Sequence, residues 1–357
     1  MEEEGDSTVI TLDMEFGSWG CLRYQVPTAS GPISVVVCGD QDKPALLTYP
    51  DVGLNYVSCF EGLFSDPEAS SVLYHNFCIY HVDALGHEVS ILFYLTCAPD
   101  QPSLSVDDLA DQLAEVLDFF GLDEVIGLGV TGGAYILTHF ALKYRERALG
   151  LILVSPLCQT PSWTEWIYNK AIINLLYFCG MSGFVKDTFL QRYFSQEART
   201  TPGAGLDVIT TYHKHLDDVP SRNVMRYMQA INQRVDLSER VKKLKCRTLI
   251  IVGEHSPFHH EALHLSTQMH KRYNALIEVQ ACGSLVTEEQ PHAMFVPMEL
   301  FLMGYSFYQR PVYSLSSTPT SPLSPPCVSP ELLSPESLGL KLKPIKTRVS
   351  VPEEENC

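Results

Sequence analysis

Short apolar runs rich in β-branched residues alternate along this chain with segments of helical period, and that order restricts the fold more than any other feature. Ser34 to Val37, Ala45 to Thr48 and Phe77 to His81 are bounded by Gly, Asp or Pro, as strands buried on both faces are. Ser105-Val-Asp-Asp then supplies an N-cap and two acids. Leu109, Leu113, Val116, Leu117 and Phe120 follow at helical spacing up to Gly121, which predicts a helix of about four turns. Residues 124–129 read as a strand, 133–143 as a helix and 149–154 as another strand. Repeated β-then-α order predicts a mostly parallel sheet with helices on both faces.

Residues 161–236 change character to three or four helical segments without a convincing strand, which predicts a helical cap inserted into the sheet domain. Sheet order then returns with a strand over 247–252, a helix over 258–272, a strand over 275–279 and a helix over 291–309. A chain of 357 residues, 45% hydrophobic and 19% charged, has enough apolar material for one large core. The expected plan is an acidic flexible N-terminus over 1–14, a main domain over 15–309 and a tail over 310–357. The longest apolar stretch, Trp166 to Val185, is interrupted by Asn169, Lys170, Asn174 and two glycines, which predicts a buried or amphipathic helix and not a membrane span. Trp163, Trp166 and Tyr168 read first as filling of the cap's interior and second as interface anchors.

The formal net charge of −17 arises within residues 1–309, because the tail sets Arg310, Lys341, Lys343, Lys346 and Arg348 against five glutamates. Such a domain repels phosphate backbones, which argues against nucleic acid as a partner and for basic partners or simple solubility. Eleven cysteines include no C-x-x-C pair, a pattern that predicts buried free thiols in a reducing compartment and hence a cytoplasmic location. Met1 to Asp6 lacks the basic and apolar regions of a signal peptide, and Glu2 stands where N-myristoylation needs glycine.

Gly129-Val130-Thr131-Gly132-Gly133 lies between a predicted strand and a predicted helix, the setting that makes G-x-S-x-G a nucleophile elbow. A hydrolase of this plan carries Ser, Cys or Asp at the tip, whereas here Thr131 brings an extra methyl into a strained turn. The acid is expected after the strand over 247–252, where Gly253-Glu254-His255-Ser256-Pro257 puts Ser256 in its place. The base is expected after the next strand, where Ala281-Cys282-Gly283-Ser284-Leu285 offers Ser284, a hydroxyl unable to exchange a proton near neutral pH as imidazole does. Beside the oxyanion hole, where many hydrolases have His-Gly, stand Pro50 and Asp51, and a carboxylate there would oppose a developing oxyanion. These departures fall in a unit that works only as a whole, so they predict an α/β-hydrolase fold without its inherited catalysis. The alternative is a residual hydrolase or small-molecule sensor at Thr131, served by His292 or by His255 with Glu254. The plainer reading of both histidines is polar surface.

Lys43 to Asp51, Asn76 to His81, Gly150 to Pro156 and Cys246 to Ile250 resemble strands and strand edges of the NDR (N-myc downstream-regulated) family. Val279 to Ser284 and Ser329 to Pro335 resemble its plant NDR-like branch in particular, and the likeness runs over roughly residues 15–348. It implies an α/β-hydrolase fold without hydrolase activity, in a cytoplasmic adaptor or scaffold of growth, differentiation or stress signalling. For the plant branch it also implies association with the βγ dimer of heterotrimeric G proteins and an influence on auxin transport. Val89 to Cys97 departs from the family's small polar loop, leaving open an extra buried strand, a binding patch or a poorly packed segment.

His260-Glu261-Ala262-Leu263-His264 matches H-E-x-x-H, with His270 at the spacing of a third ligand. The chain reversal that would bring His270 back needs glycine where Thr267 stands, and along an unbroken helix His260 and His270 lie about 15 Å apart. The expectation is therefore no metal and no cofactor. After Arg310, seven prolines fall within 25 positions, the composition of a disordered tail. Thr318, Ser321, Ser324, Ser329 and Ser334 each precede a proline and are candidate phosphosites, each phosphate adding nearly two negative charges. The basic segment 341–348 suits at most weak contact with anionic lipid or an acidic partner.

Overall fold

The computed structural model describes residues 9–10, 20–84, 87, 104–200 and 204–310. The apolar runs become β1 (Val9–Ile10), β2 (Cys21–Val26), β3 (Ile33–Cys38), β4 (Ala45–Tyr49), β5 (Cys78–Val82), β6 (Val125–Val130), β7 (Ala148–Val154), β8 (Arg247–Gly253) and β9 (Asn274–Val279). They form one nine-stranded sheet in the order β1-β2-β3-β5-β4-β6-β7-β8-β9. The pairs from β1 to β5 are antiparallel, and every pair from β5 to β9 is parallel. β3 to β6 are buried along their whole length, whereas the edge strand β9 is covered only in part. That gradient is why the central strands read as unbroken apolar runs.

Helices α1 (Tyr56–Ser65), α2 (Pro67–Asn76), α3 (Val106–Phe119) and α4 (Gly132–Lys143) connect the first parallel strands. Capping boxes open two of them, Asn55 with Ser58 at α1 and Ser105 with Asp108 at α3, satisfying backbone donors that a helix start leaves free. The cap supplies α5 (Trp163–Cys179), α6 (Gly183–Tyr193), α7 (Gln196–Thr200), α8 (Ala204–Asp218) and α9 (Ser221–Asn232), more helices than the sequence suggested. The short α10 (Ser238–Val241) returns the chain to β8, and α11 (His259–Gln268), α12 (Val286–Glu289) and α13 (His292–Leu302) complete the domain. No described helix is long and apolar enough to cross a membrane.

Several expectations need correction. Cys21 and Cys38 form a disulfide instead of remaining free, because the antiparallel register sets them opposite one another with Cα atoms 4.3 Å apart. Trp163, Trp166 and Tyr168 are exposed and do not fill the cap's interior, since the buried face of α5 is made by Asn169, Ile172, Ile173 and Leu176. The helices expected over 258–272 and 291–309 end earlier, at Gln268 and Leu302. Residues 88–103, including Val89 to Cys97, lie outside the described residues, as do the five tail phosphosites and segment 341–348.

Candidate functional site

β6 runs directly into Thr131, which turns the chain into α4 with φ 48° and ψ −101°. Positive φ at a β-branched residue is strained by roughly 1–3 kcal/mol. The Thr131 N–H donates to the Val154 carbonyl at 2.8 Å, tying the tip to the neighbouring strand. A Cβ on Gly133 would lie 2.3 Å from the Tyr49 carbonyl oxygen, so only glycine lets α4 start this close to the end of β4. The elbow foreseen from the glycines is therefore formed, with Thr131 fully buried at its tip. Its Oγ1 makes no hydrogen bond.

The backbone N–H that follows an elbow residue is one of the two usual oxyanion donors. Here the Gly132 N–H donates at 2.9 Å to Oδ1 of Asp51, a fully buried side chain. Asp51 is held in turn by Arg192 of α6, from Nε to Oδ2 at 2.9 Å and from Nη2 to Oδ1 at 3.4 Å. The guanidinium carbon of Arg192 lies 4.5 Å from the centre of the Phe258 ring. Burial opposes the charge of Arg192, but Asp51 together with Tyr193 and Glu165 outweighs it and raises the pKa of the guanidinium. Two phenols close over the same loop, Tyr227 donating to the Pro50 carbonyl at 3.0 Å and Tyr193 to that of Val52. Desolvation raises the pKa of both well above the ordinary tyrosine value, which keeps them protonated and able to donate.

Ser256 and Ser284, far apart in sequence, meet with their hydroxyl oxygens 2.8 Å apart. Ser284 donates to the Arg192 carbonyl at 2.8 Å, and Ser256 accepts from the Phe258 N–H at 3.1 Å. The protons then run one way, from Phe258 through Ser256 and Ser284 to the backbone of α6. The structure thus gathers Asp51, Ser256 and Ser284 around one residue of the cap, Arg192. His255 and His292 are solvent-exposed and neither bonds to Thr131, so neither potential base is brought to the elbow.

The H-E-x-x-H residues belong to a different arrangement. Glu261 accepts the Cys158 and Gln159 N–H groups at 2.6 and 2.9 Å, and Nη2 of Arg234 at 3.0 Å. His264 pairs with Ser238 at 2.9 Å, His260 is exposed, and α11 ends before His270. Among the described residues no group of three His, Cys, Asp or Glu side chains is placed to hold a metal ion. Arg192 and Arg234 were not singled out in the sequence, because an arginine inside a helical period ordinarily faces water. Arg234 is fully buried, and its fork spans Glu165 of α5 at 2.8 and 2.9 Å and Glu261 of α11. Beside these ion pairs, a cleft of about 430 Å³ opens between cap and sheet domain, lined by Tyr168, Ile172, Phe189, Arg192, Met228 and Phe258 among others.

The strand order, the elbow at the end of β6 and the inserted cap define an α/β-hydrolase-fold protein. An esterase from Thermogutta terrifontis shares this fold with a TM-score of 0.66 at 19% identity, over 80% of this chain and 99% of that one. A hydrolase from Pseudomonas aeruginosa does so with a TM-score of 0.64 at 18% identity, over 78% and 98%. The chain belongs to the Ndr family, whose family model matches residues 23–309. It is 58% identical over 346 residues to Protein NDL3 of Arabidopsis thaliana, covering 97% of this chain and 98% of that protein. To the Pollen-specific protein SF21 of Helianthus annuus it is 48% identical over 351 residues, 98% of each chain.

Proposed function

We propose that this chain is a non-catalytic adaptor or scaffold of intracellular signalling, in which the residues of a former hydrolytic site hold the cap in place. The observation that carries this reading is the Asp51 carboxylate on the Gly132 N–H. A negative oxygen already occupies the donor that a tetrahedral intermediate would need, and Arg192 of the cap holds it there. The oxyanion term, commonly the largest in acyl transfer, is thereby removed. No imidazole hydrogen-bonds to Thr131, which leaves its hydroxyl without the base that a threonine nucleophile requires.

The resemblance to plant NDR-like proteins, together with the acidic domain, supports a cytoplasmic partner of basic or mixed surface, with the βγ dimer of heterotrimeric G proteins as the specific candidate and auxin transport as the process affected. In this reading phosphorylation at Thr318, Ser321, Ser324, Ser329 and Ser334 tunes the docking, and 341–348 adds at most weak membrane contact. Two measurements test the proposal together. Across a panel of esters, the protein and its Thr131→Ser variant are expected to show no turnover, whereas activity abolished by Thr131→Ala would overturn the non-catalytic reading. In a binding assay with purified βγ dimer, saturable association weakened by phosphomimetic tail substitutions is expected. No association at any ionic strength would remove that partner.

A second reading rests on the cleft beside Arg192. Its volume falls within the range of small-ligand sites, and its walls combine apolar Ile172, Phe189, Met228 and Phe258 with the charged Arg192, Glu165 and Glu261. A sensor of small molecules would therefore use the cleft and not the closed elbow.

A further inference from the structure

Helix α5 is apolar around nearly its whole circumference. Ile172, Ile173 and Leu176 are buried against the cap, yet Trp163, Trp166, Ile167, Tyr177 and Phe178 face solvent. Helices apolar all round are ordinarily covered on every side. The exposed set recurs at helical spacing, with Lys170 and Asn174 between its two ends, so it forms one straight stripe about 22 Å long. Phe184, at the start of α6, adds a sixth exposed large side chain. These six large side chains are 38 to 79% exposed, which at the area of such residues leaves roughly 700 Å² uncovered.

We propose that this stripe is a homodimer interface, in which α5 of one copy packs antiparallel on α5 of a second copy across a two-fold axis at the middle of the stripe. The exposed area approaches the ~800 Å² that each partner contributes to a stable interface. The stripe is also self-complementary. Aromatic residues sit at both of its ends, so an antiparallel copy sets Trp163 against the partner's Phe178, with Lys170 and Asn174 at the middle. An isologous contact of this kind closes after two copies. A lipid surface fits less well, because membrane-surface helices are rich in Lys and Arg, whereas this stripe holds Lys170 alone and the chain carries −17 net charges. Lys170 is itself engaged, its Nζ 5.9 Å from the centre of the Trp166 ring.

Sedimentation equilibrium of the full chain tests the proposal, up to about 100 µM, above the weakest affinities expected of interfaces this size. The expected species has twice the 39.9 kDa mass of one chain, and added salt tightens it by screening repulsion between two acidic copies. Tyr177→Asp with Phe178→Asp should weaken dimerisation by roughly 100-fold or more. Val296→Asp, an exposed change on α13, should leave it unchanged, and because all these positions face solvent the thermal midpoint should hold in each variant at concentrations where the wild type is monomeric. A monomeric wild-type chain at the highest concentration would overturn the proposal. So would a dimer indifferent to the α5 substitutions, or binding of neutral phosphatidylcholine vesicles through the stripe without self-association.

Discussion

Asp51 occupies the backbone donor beside the elbow and ties that turn to the cap. Its carboxylate, fully buried, joins the first turn of α4 to a cap arginine whose side chain is 16% exposed. Removing one partner of a buried pair leaves the other uncompensated, so Asp51→Ala should destabilise the fold by about 3–5 kcal/mol in urea unfolding. Replacing both in Asp51→Ala with Arg192→Met should cost less than the sum of the two single changes, because no orphaned charge remains. Strict additivity would mean that the two residues do not work as a pair. The sequence made this position legible as a departure from the hydrolase pattern, since Asp51 sits in a recognisable loop. Arg192 was invisible there, because what makes it special is its ion pair with Asp51, a loop residue 141 positions away.

At the scale of elements, the cap is fastened by buried polar contacts as well as by its apolar faces. Arg234 joins α5, α11 and the Gln159 carbonyl, using a planar fork that lysine cannot reproduce. Arg234→Lys should therefore loosen α5, seen as faster amide hydrogen exchange across Trp163–Cys179, while exchange in β4 to β7 stays slow. Uniform acceleration over the whole sheet would instead mean that cap and sheet open as one unit. Element order, the elbow and the Ser105 cap were readable from periodicity and turn chemistry, because local spacing sets them. β2 was not, since Arg23 and Gln25 interrupt its apolar residues and only pairing with β3 makes it a strand.

Across the whole molecule, buried ionisable groups set the response to acid. Burial lowers His81 of β5 to about pKa 3 and His215 of α8 to about 4, while Glu288 is raised well above the ordinary carboxylate value, chiefly by desolvation. Between pH 4.5 and 6.5 the unfolded chain protonates both histidines, which the folded chain keeps neutral. The raised Glu288 acts in the opposite sense. The two histidines favour unfolding and Glu288 opposes it, so stability should fall as the pH drops from 6.5 to 4.5, by at most about 1.4 kcal/mol per pH unit for each histidine. Urea midpoints in high salt, which screens the repulsion among the acidic charges, provide the check, and His215→Gln should flatten the slope. A profile level from pH 6.5 to 4.5 would contradict these protonation states.

Sequence by itself determined the β-then-α order and the glycines that only a sharp elbow requires. Those features are local: a residue's own backbone freedom and its spacing to near neighbours fix them. Tertiary structure alone decided that Ser256 reaches Ser284, that Asp51 reaches Arg192, and that the aromatic residues of α5 face outward. Each of these depends on which distant segments the sheet and the cap bring within a few ångströms, and such proximity leaves no mark in the spacing of neighbouring residues.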